Sequence, residues 1–268
     1  MPKERVALVT GASSGIGGAI ARELAAAGFR VYGASRRVLA DPPVGVEQLA
    51  VDVKDDASVR HGVEHVLTEA GQIDVLVNAA GYLCAGAIEE VAVDEAQEQF
   101  ATNYFGVLRM TLAALPGMRQ REAGHIVTIS SLSGLVPVPF WGHFNASKAA
   151  VEGLMETLRH EVRPFNIQVA LVEPGSIKTP FFAPPLPAGI DAYAGPRART
   201  LATMAAYESK APGPEVVARK VLAIANDPHP KLRTTITKEA KQFTTLRRLL
   251  PQGAFEAGVR RGFHLAGK

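Results

Sequence analysis

Short apolar runs rich in β-branched residues alternate along this chain with longer segments whose apolar residues recur at helical spacing. No other feature limits the possible folds as tightly. Val6-Ala7-Leu8-Val9, Val31-Tyr32, Asp74-Val75-Leu76-Val77, Ile126-Val127-Thr128-Ile129 and Val169-Ala170-Leu171-Val172 are the strand candidates. Between them, Ile16/Ile20/Leu24, Val59/Val63/Val66/Leu67 and Val151/Leu154/Met155/Leu158 repeat with the period of a helix. Strands that are apolar throughout must be buried on both faces, and a parallel sheet covered by helices provides that. The expectation is an α/β fold with a doubly wound, Rossmann-like parallel sheet. No repeat or linker interrupts the pattern, so residues 1–268 read as a single domain.

The pattern weakens after Phe182. Pro184, Pro185, Pro187 and Pro196, with Gly189 and Gly195, suggest a proline-rich substrate loop over about residues 183–212. A C-terminal helical extension over about 229–268 follows. In it Phe243, Leu246, Leu249 and Leu250 lie to one side, Arg247 and Arg248 lie beside them, and Pro251 ends the helix. That extension holds nine Lys/Arg against Glu239 and Glu256, whereas the rest of the chain holds 20 basic and 24 acidic residues. Such a tail reads as a helix packed on the domain with a solvated cationic face, in preference to a membrane contact. There is no nucleic-acid motif, no secretory signal and no membrane-spanning run. The single cysteine, Cys84, has no disulfide partner in the chain, so a cytoplasmic setting is expected. No metal-ligand cluster stands out.

Thr10-Gly11-Ala12-Ser13-Ser14-Gly15-Ile16-Gly17 joins the first strand to the first helix. Glycines there allow a tight turn and close approach of the backbone to a pyrophosphate, whose charge suits the free N–H groups of the helix start. At the end of the second strand Ser35 stands where a carboxylate would grip the ribose 2′-hydroxyl of NAD. Arg36 and Arg37 follow it. Two adjacent arginines can simply be solvated, but without an acid at that point they favour a 2′-phosphate, hence NADP(H) over NAD(H).

The glycine spacing resembles the TGxxxGxG form of the short-chain dehydrogenase/reductase family. Asp52-Val53 resembles that family's contact to the adenine edge. Asn78-Ala79-Ala80-Gly81 resembles its NNAG element, and Pro174-Gly175-Ser176-Ile177-Lys178-Thr179 its PGxxxT segment. Phe144-Asn145-Ala146-Ser147-Lys148 resembles the Tyr-x-x-x-Lys signature with phenylalanine in the tyrosine's place. The resemblance implies cofactor contacts from Gly11, Ser13, Ser14, Gly15, Ile16, Gly17, Ser35, Arg36, Arg37, Asp52, Val53, Asn78, Ala79, Gly81, Lys148, Pro174, Gly175, Ile177 and Thr179. It further implies that Lys148 lowers the tyrosine pKa and binds the nicotinamide ribose, that Ser131 bonds the reacting oxygen, and that Asn103 organises a water relay.

Phe144 breaks that catalytic set, because its ring can neither donate nor accept the proton that moves as hydride moves. His143 is about 100° away around a helix, and neither Tyr82 nor Tyr104 has a spacing argument as a substitute. Three origins account for the phenylalanine: replacement of a working tyrosine, a natural binder without turnover, or chemistry that needs no phenolic proton. The intact Ser131, Asn103 and Lys148 favour replacement or near-isosteric variation of a working reductase. Leu135, Val136, Val138, Phe140, Trp141, Phe181 and Phe182 are the apolar candidates for a substrate wall, which suits a hydrophobic ketone or secondary alcohol. The extended C-terminus resembles the steroid- and retinoid-type branch. Family resemblance also implies a homodimer or homotetramer, with the helix from about Ala149 to Arg163 in an interface. The rival reading is a non-catalytic NADP-binding sensor or interaction protein.

Overall fold

A computed structural model describes residues 4–179 and 189–265. Seven strands form one parallel sheet: β1 (Val6–Thr10), β2 (Arg30–Ser35), β3 (Val46–Ala50), β4 (Val75–Asn78), β5 (Gly124–Ile129), β6 (Ile167–Pro174) and β7 (Arg233–Ile236). The helices are α1 (Gly15–Ala26), α2 (Asp56–Ala70), α3 (Val93–Phe100), α4 (Gly106–Arg121), α5 (Gly142–Glu161), α6 (Asp191–Ser209), α7 (Glu215–Ala225), α8 (Lys238–Leu249) and α9 (Gln252–Gly262). Strand order is β3-β2-β1-β4-β5-β6-β7. The expected doubly wound sheet in a single Rossmann-like domain is therefore present.

The period-two geometry of a strand explains why these runs are apolar throughout. Val6 and Leu8 of β1 point to one core with Leu76, Ile126, Val169 and Leu171, against α2, α4 and α5. Their neighbours Ala7 and Val9 point to the other core with Val75, Val77, Val127 and Val172, against α1 and α7. Local signals set the helix ends. The Asp55 carboxylate accepts the Ser58 N–H at 2.7 Å to cap α2, and Gly71 ends it with φ 74°.

The chain winds outward from β1 to β3 and then returns to β4 on the other side of β1. A crevice opens at such a reversal, beyond the carboxyl ends of the two strands. Thr10 ties its walls together. Its hydroxyl oxygen accepts the N–H groups of Ala79 at 2.9 Å and Ala80 at 3.0 Å, and its side chain is buried. Beside it, Asn78 donates to the hydroxyls of Thr111 at 3.3 Å and Thr128 at 3.4 Å, bracing β4 against α4 and β5.

Three features differ from the sequence expectation. The stretch expected as a loop over 183–212 is a helix, α6, from Asp191 to Ser209, and Pro196 lies inside it. Only Thr200 of α6 is buried, so the helix shows no apolar stripe for a periodicity argument to find; its alanines carry the propensity instead. Phe181, Phe182, Pro184, Pro185 and Pro187 lie outside the described residues. The C-terminal extension begins with an edge strand, β7, whose Arg-Thr-Thr-Ile sequence lacks a continuous apolar run. Its helix α8 does end before Pro251, but a second helix, α9, follows.

A Thr10→Val substitution keeps the shape at the reversal and removes the shared acceptor. Two partly buried N–H groups then lose their partner, and the expected cost is about 1–3 kcal/mol of unfolding free energy. Urea denaturation measures it; an unchanged midpoint would mean that water serves both amides.

Candidate active site

The β1–α1 turn opens the site. Gly11 has φ 68°, and a Cβ there would stand 2.9 Å from Ala80 Cα; a Cβ on Gly17 would stand 2.4 Å from the Gly11 carbonyl oxygen. Only glycine lets the turn close this tightly against the β4 end and against itself. Ser14, at the start of α1, makes no side-chain cap. The first-turn N–H groups of α1 therefore face the cleft with the positive end of the helix dipole behind them, which is an anion site.

That turn lines one end of a cleft of about 550 Å³. Gly11, Ser13, Ser14, Gly15, Ile16, Gly17, Ser35, Arg36, Arg37, Asp52, Val53, Ala79, Gly81, Ser131, Phe144, Lys148, Pro174, Gly175, Ile177 and Thr179 all border it. Arg36 and Arg37 are exposed, and among the described residues neither forms an ion pair. The Ser35 hydroxyl donates to the Arg37 carbonyl at 2.6 Å, shaping the strand end. Asp52 is half-buried and accepts the Lys54 N–H at 2.9 Å. Two expected contacts stand behind the wall. Asn78 is 2% exposed with its amide turned to Thr111 and Thr128, so it braces the sheet. Asn103 is fully buried.

Asn103 sits in a π-helical turn, Ala101–Phe105, between α3 and α4, a distortion that re-aims side chains at functional sites. Its amide donates to the Ser147 hydroxyl at 3.2 Å and the Tyr82 carbonyl at 3.0 Å, and its oxygen accepts the Tyr82 N–H at 3.0 Å. Lys148, four residues after Phe144 on the same face of α5, is buried and donates to the Ile129 carbonyl at 2.8 Å. Burial pulls its pKa from 10.5 to about 8, with Glu152 opposing the shift. The Phe144 ring centroid lies 5.8 Å from Lys148 Nζ, within cation–π range. Ser131 caps a short 3-10 turn, its hydroxyl accepting the Ser133 N–H at 3.1 Å. The neighbouring Ser130 hydroxyl is buried at the cleft without a hydrogen-bond partner among the described residues.

The far end of the cleft is apolar. Phe144 packs with Leu83, Val138 and Trp141, and Met204 of α6 and Phe263 after α9 close over them. Of the proposed substrate wall, Val138 and Trp141 line the cleft, whereas Leu135, Val136 and Phe140 do not. Phe140 instead meets the Tyr193 ring edge-on at 6.4 Å. Met204 and Glu208 line the cleft from within the stretch expected as a substrate loop, but they do so from helix α6. The helix is held from its first turns. Glu90 accepts the Ile190 N–H at 2.8 Å and pairs with Arg197, and Glu89 accepts the Tyr193 hydroxyl at 2.7 Å. Neither His143 nor Tyr104 lines the cleft. Tyr82 does, and burial raises its phenol pKa, with the charge of Glu98 adding to the shift. Burial raises the Cys84 pKa, and the thiol does not border the cleft.

A glycine turn at the reversal of a doubly wound sheet, with a buried lysine beside an apolar recess, is the arrangement of a dinucleotide-binding fold. Residues 5–186 match the model of the short chain dehydrogenase family, and the chain belongs to that family. It is 45% identical to a 3-ketodihydrosphingosine reductase of Bacteroides thetaiotaomicron over 66% of this chain and 65% of that protein, just under two thirds of the relative's length. A short-chain dehydrogenase from Streptomyces avermitilis superimposes with a TM-score of 0.82 at 33% identity, over 99% of this chain and 98% of that one. ElxO with NADP bound superimposes with a TM-score of 0.73 at 25% identity, over 89% and 99% of the two chains. Family and neighbour together support a nicotinamide nucleotide as cofactor.

One turn after Lys148, a buried acidic cluster backs the site. Arg233 of β7 meets Glu152 at 2.9 Å, Glu156 at 2.8 Å and Glu173 at 3.5 Å, and Thr235 donates to Glu173 at 2.9 Å. Glu152 and Glu173 are both buried. Burial and the charge of Glu152 raise Glu173 from 4.5 to about 7. Between those values the folded state holds a proton that the unfolded state has lost, so stability falls as pH rises through the window. The expected slope from this group is up to about 1.4 kcal/mol per pH unit. Glu173→Gln should remove that part of the slope and make the chain more stable than the parent above neutrality. Urea unfolding of both chains across this range measures the difference, and parallel pH curves would contradict it.

Proposed function

We propose that this chain is an NADP(H)-dependent oxidoreductase built to interconvert a hydrophobic ketone and a secondary alcohol, and that Phe144 occupies the position of its proton-transferring tyrosine. The observation that carries this reading is the Phe144 ring beside buried Lys148 at the boundary between the cofactor cradle and the apolar recess. Arg36 and Arg37, which form no ion pair among the described residues, support a 2′-phosphate. The 45% identical relative, a 3-ketodihydrosphingosine reductase, agrees with carbonyl reduction. The homodimer or homotetramer implied by the family belongs to the same reading, with Ala146, Ala149 and Gly153 exposed along α5.

The glycine cradle fits a pyrophosphate, since a Cβ at Gly11 or Gly17 would fill the space the backbone leaves. In this reading the α1 N–H groups hold that pyrophosphate, Arg36 neutralises the 2′-phosphate, and Asp52 and Val53 border the adenine. Bound nicotinamide supplies or accepts the hydride. Lys148 holds a positive charge close to where the substrate oxygen would gain or lose its proton. Ser131 orients that oxygen, and Asn103 keeps the π turn and Ser147 in place behind Lys148. Phe144 fills the space of a tyrosine without its oxygen, so ligand binding survives and proton transfer does not. That same missing oxygen favours the second reading, a non-catalytic NADP-binding sensor.

Phe144→Tyr separates the two. Restoring a general acid should raise kcat by about 10²–10⁴ on at least one member of a panel of hydrophobic ketones, followed by NADPH absorbance. NADPH affinity should change little. A tyrosine chain that binds both ligands but gains no turnover would leave the sensor reading standing. For nucleotide choice, NADPH should raise the melting temperature more than NADH at equal concentration. Arg36→Ala should weaken NADPH binding by about 10–100-fold, the worth of one charge-assisted contact, and leave NADH unchanged. Equal shifts with the parent chain would remove Arg36 from this role.

A further inference from the structure

The outward face of α8 is basic and carries an exposed leucine. At 100° per residue, Lys238, Lys241, Arg248 and Leu249 fall within about 100° of the helix circumference, and all four are exposed. Leu249 is 75% exposed, and Leu250 at the α8–α9 corner is 40% exposed. The opposite side is anchored: Ala240 is buried, and the Arg247 guanidinium lies 5.1 Å from the Phe255 ring centroid of α9. Arg260 and Arg261, in the last turn of α9, are exposed as well. Among the described residues, none of Lys238, Lys241, Arg248, Arg260 and Arg261 forms an ion pair. Glu239 and Glu256 are the acids of these two helices.

We propose that this basic face of α8, with the leucines at its C-terminal end, docks the protein on an anionic lipid surface. Charge selects the occupant. A second copy meeting this face across a two-fold axis would set Lys241 and Arg248 against their own counterparts, whereas an anionic headgroup layer complements them. Exposed leucines at the corner suit the headgroup–acyl boundary, and two are too few to hold the chain there without the charges. Phe263, directly after α9, packs on the Leu83/Val138/Trp141/Phe144 cluster, and Arg199 of α6 donates to the His264 carbonyl at 2.9 Å. These contacts tie the residues after α9 to the apolar cluster and to α6.

Co-sedimentation with vesicles tests this without depending on nucleotide or turnover. The parent chain should pellet with phosphatidylglycerol-containing vesicles at low salt, stay in solution with pure phosphatidylcholine vesicles, and be released at high salt. A Lys241→Glu/Arg248→Glu chain, checked for an unchanged melting temperature, should bind the anionic vesicles at least about tenfold more weakly. Leu249→Ser should weaken binding as well, which a purely electrostatic attraction would not predict. A parent chain that stays in solution with anionic vesicles at low salt overturns the proposal, as does a charge-reversed chain that pellets equally well. If the parent fails to bind vesicles and the charge reversal instead alters the mass by sedimentation velocity, the face belongs to a second copy and the lipid assignment is wrong.

Discussion

The hydroxyl of Thr10 accepts the main-chain N–H groups of Ala79 and Ala80, and the architecture of the cleft rests on that shared acceptor. Strand order reverses between β1 and β4, so their connections leave in opposite directions and the backbone beyond both strands has no ladder to satisfy it. Thr10 supplies the partner. With the β4 end held there, Gly11 can pass against Ala80, and the start of α1 faces the space where a phosphate would lie. A second polar layer continues behind the wall, with Asn78 on Thr111 and Thr128, Asn103 on Ser147 and Tyr82, and Lys148 on the Ile129 carbonyl. These buried hydrogen bonds tie β4, α4, β5 and α5 together beneath the cleft.

Above that floor the two ends of the cleft differ in kind. One is lined by the glycine turn, serines and two arginines that form no ion pair among the described residues, and the other by Val138, Trp141, Phe144 and Met204, with Leu83 and Phe263 packed behind them. Lys148 stands at the boundary, with its charge discouraged by burial and supported by Glu152. A phenylalanine at that boundary extends the apolar surface to the lysine itself. The acid-rich cluster around Arg233 lies one helical turn farther along α5, so the electrostatics of Lys148 are set from behind as well as from the cleft.

Much of the fold was legible because a doubly wound sheet needs strands apolar on both faces and helices apolar on one, and both leave periodic marks. The cofactor cradle was legible for a related reason: glycine is required where φ is positive or where backbones touch, as at Gly11. The misses share a cause too. Helix α6 is almost wholly exposed, so its alanine-rich sequence carries no stripe and its proline dominated the reading. Strand β7 sits at the sheet edge beside the Arg233 cluster, where Thr and Arg replace apolar residues. Asn78 was expected at the cofactor from the likeness of its segment to the NNAG element, and its amide bonds Thr111 and Thr128 behind the wall.

The sequence alone determined the sheet class, the phosphate turn, the likeness to the family's site, and the presence of phenylalanine four residues before Lys148. Those are local properties, carried by spacing and by residue type. Only the tertiary structure decided that Lys148 is buried beneath the Phe144 ring, that α6 and the residue after α9 close the apolar end, and that Glu152, Glu173 and Arg233 meet behind the site. Each joins segments from distant parts of the chain, and burial, which sets their charge and chemistry, exists only once the elements have packed.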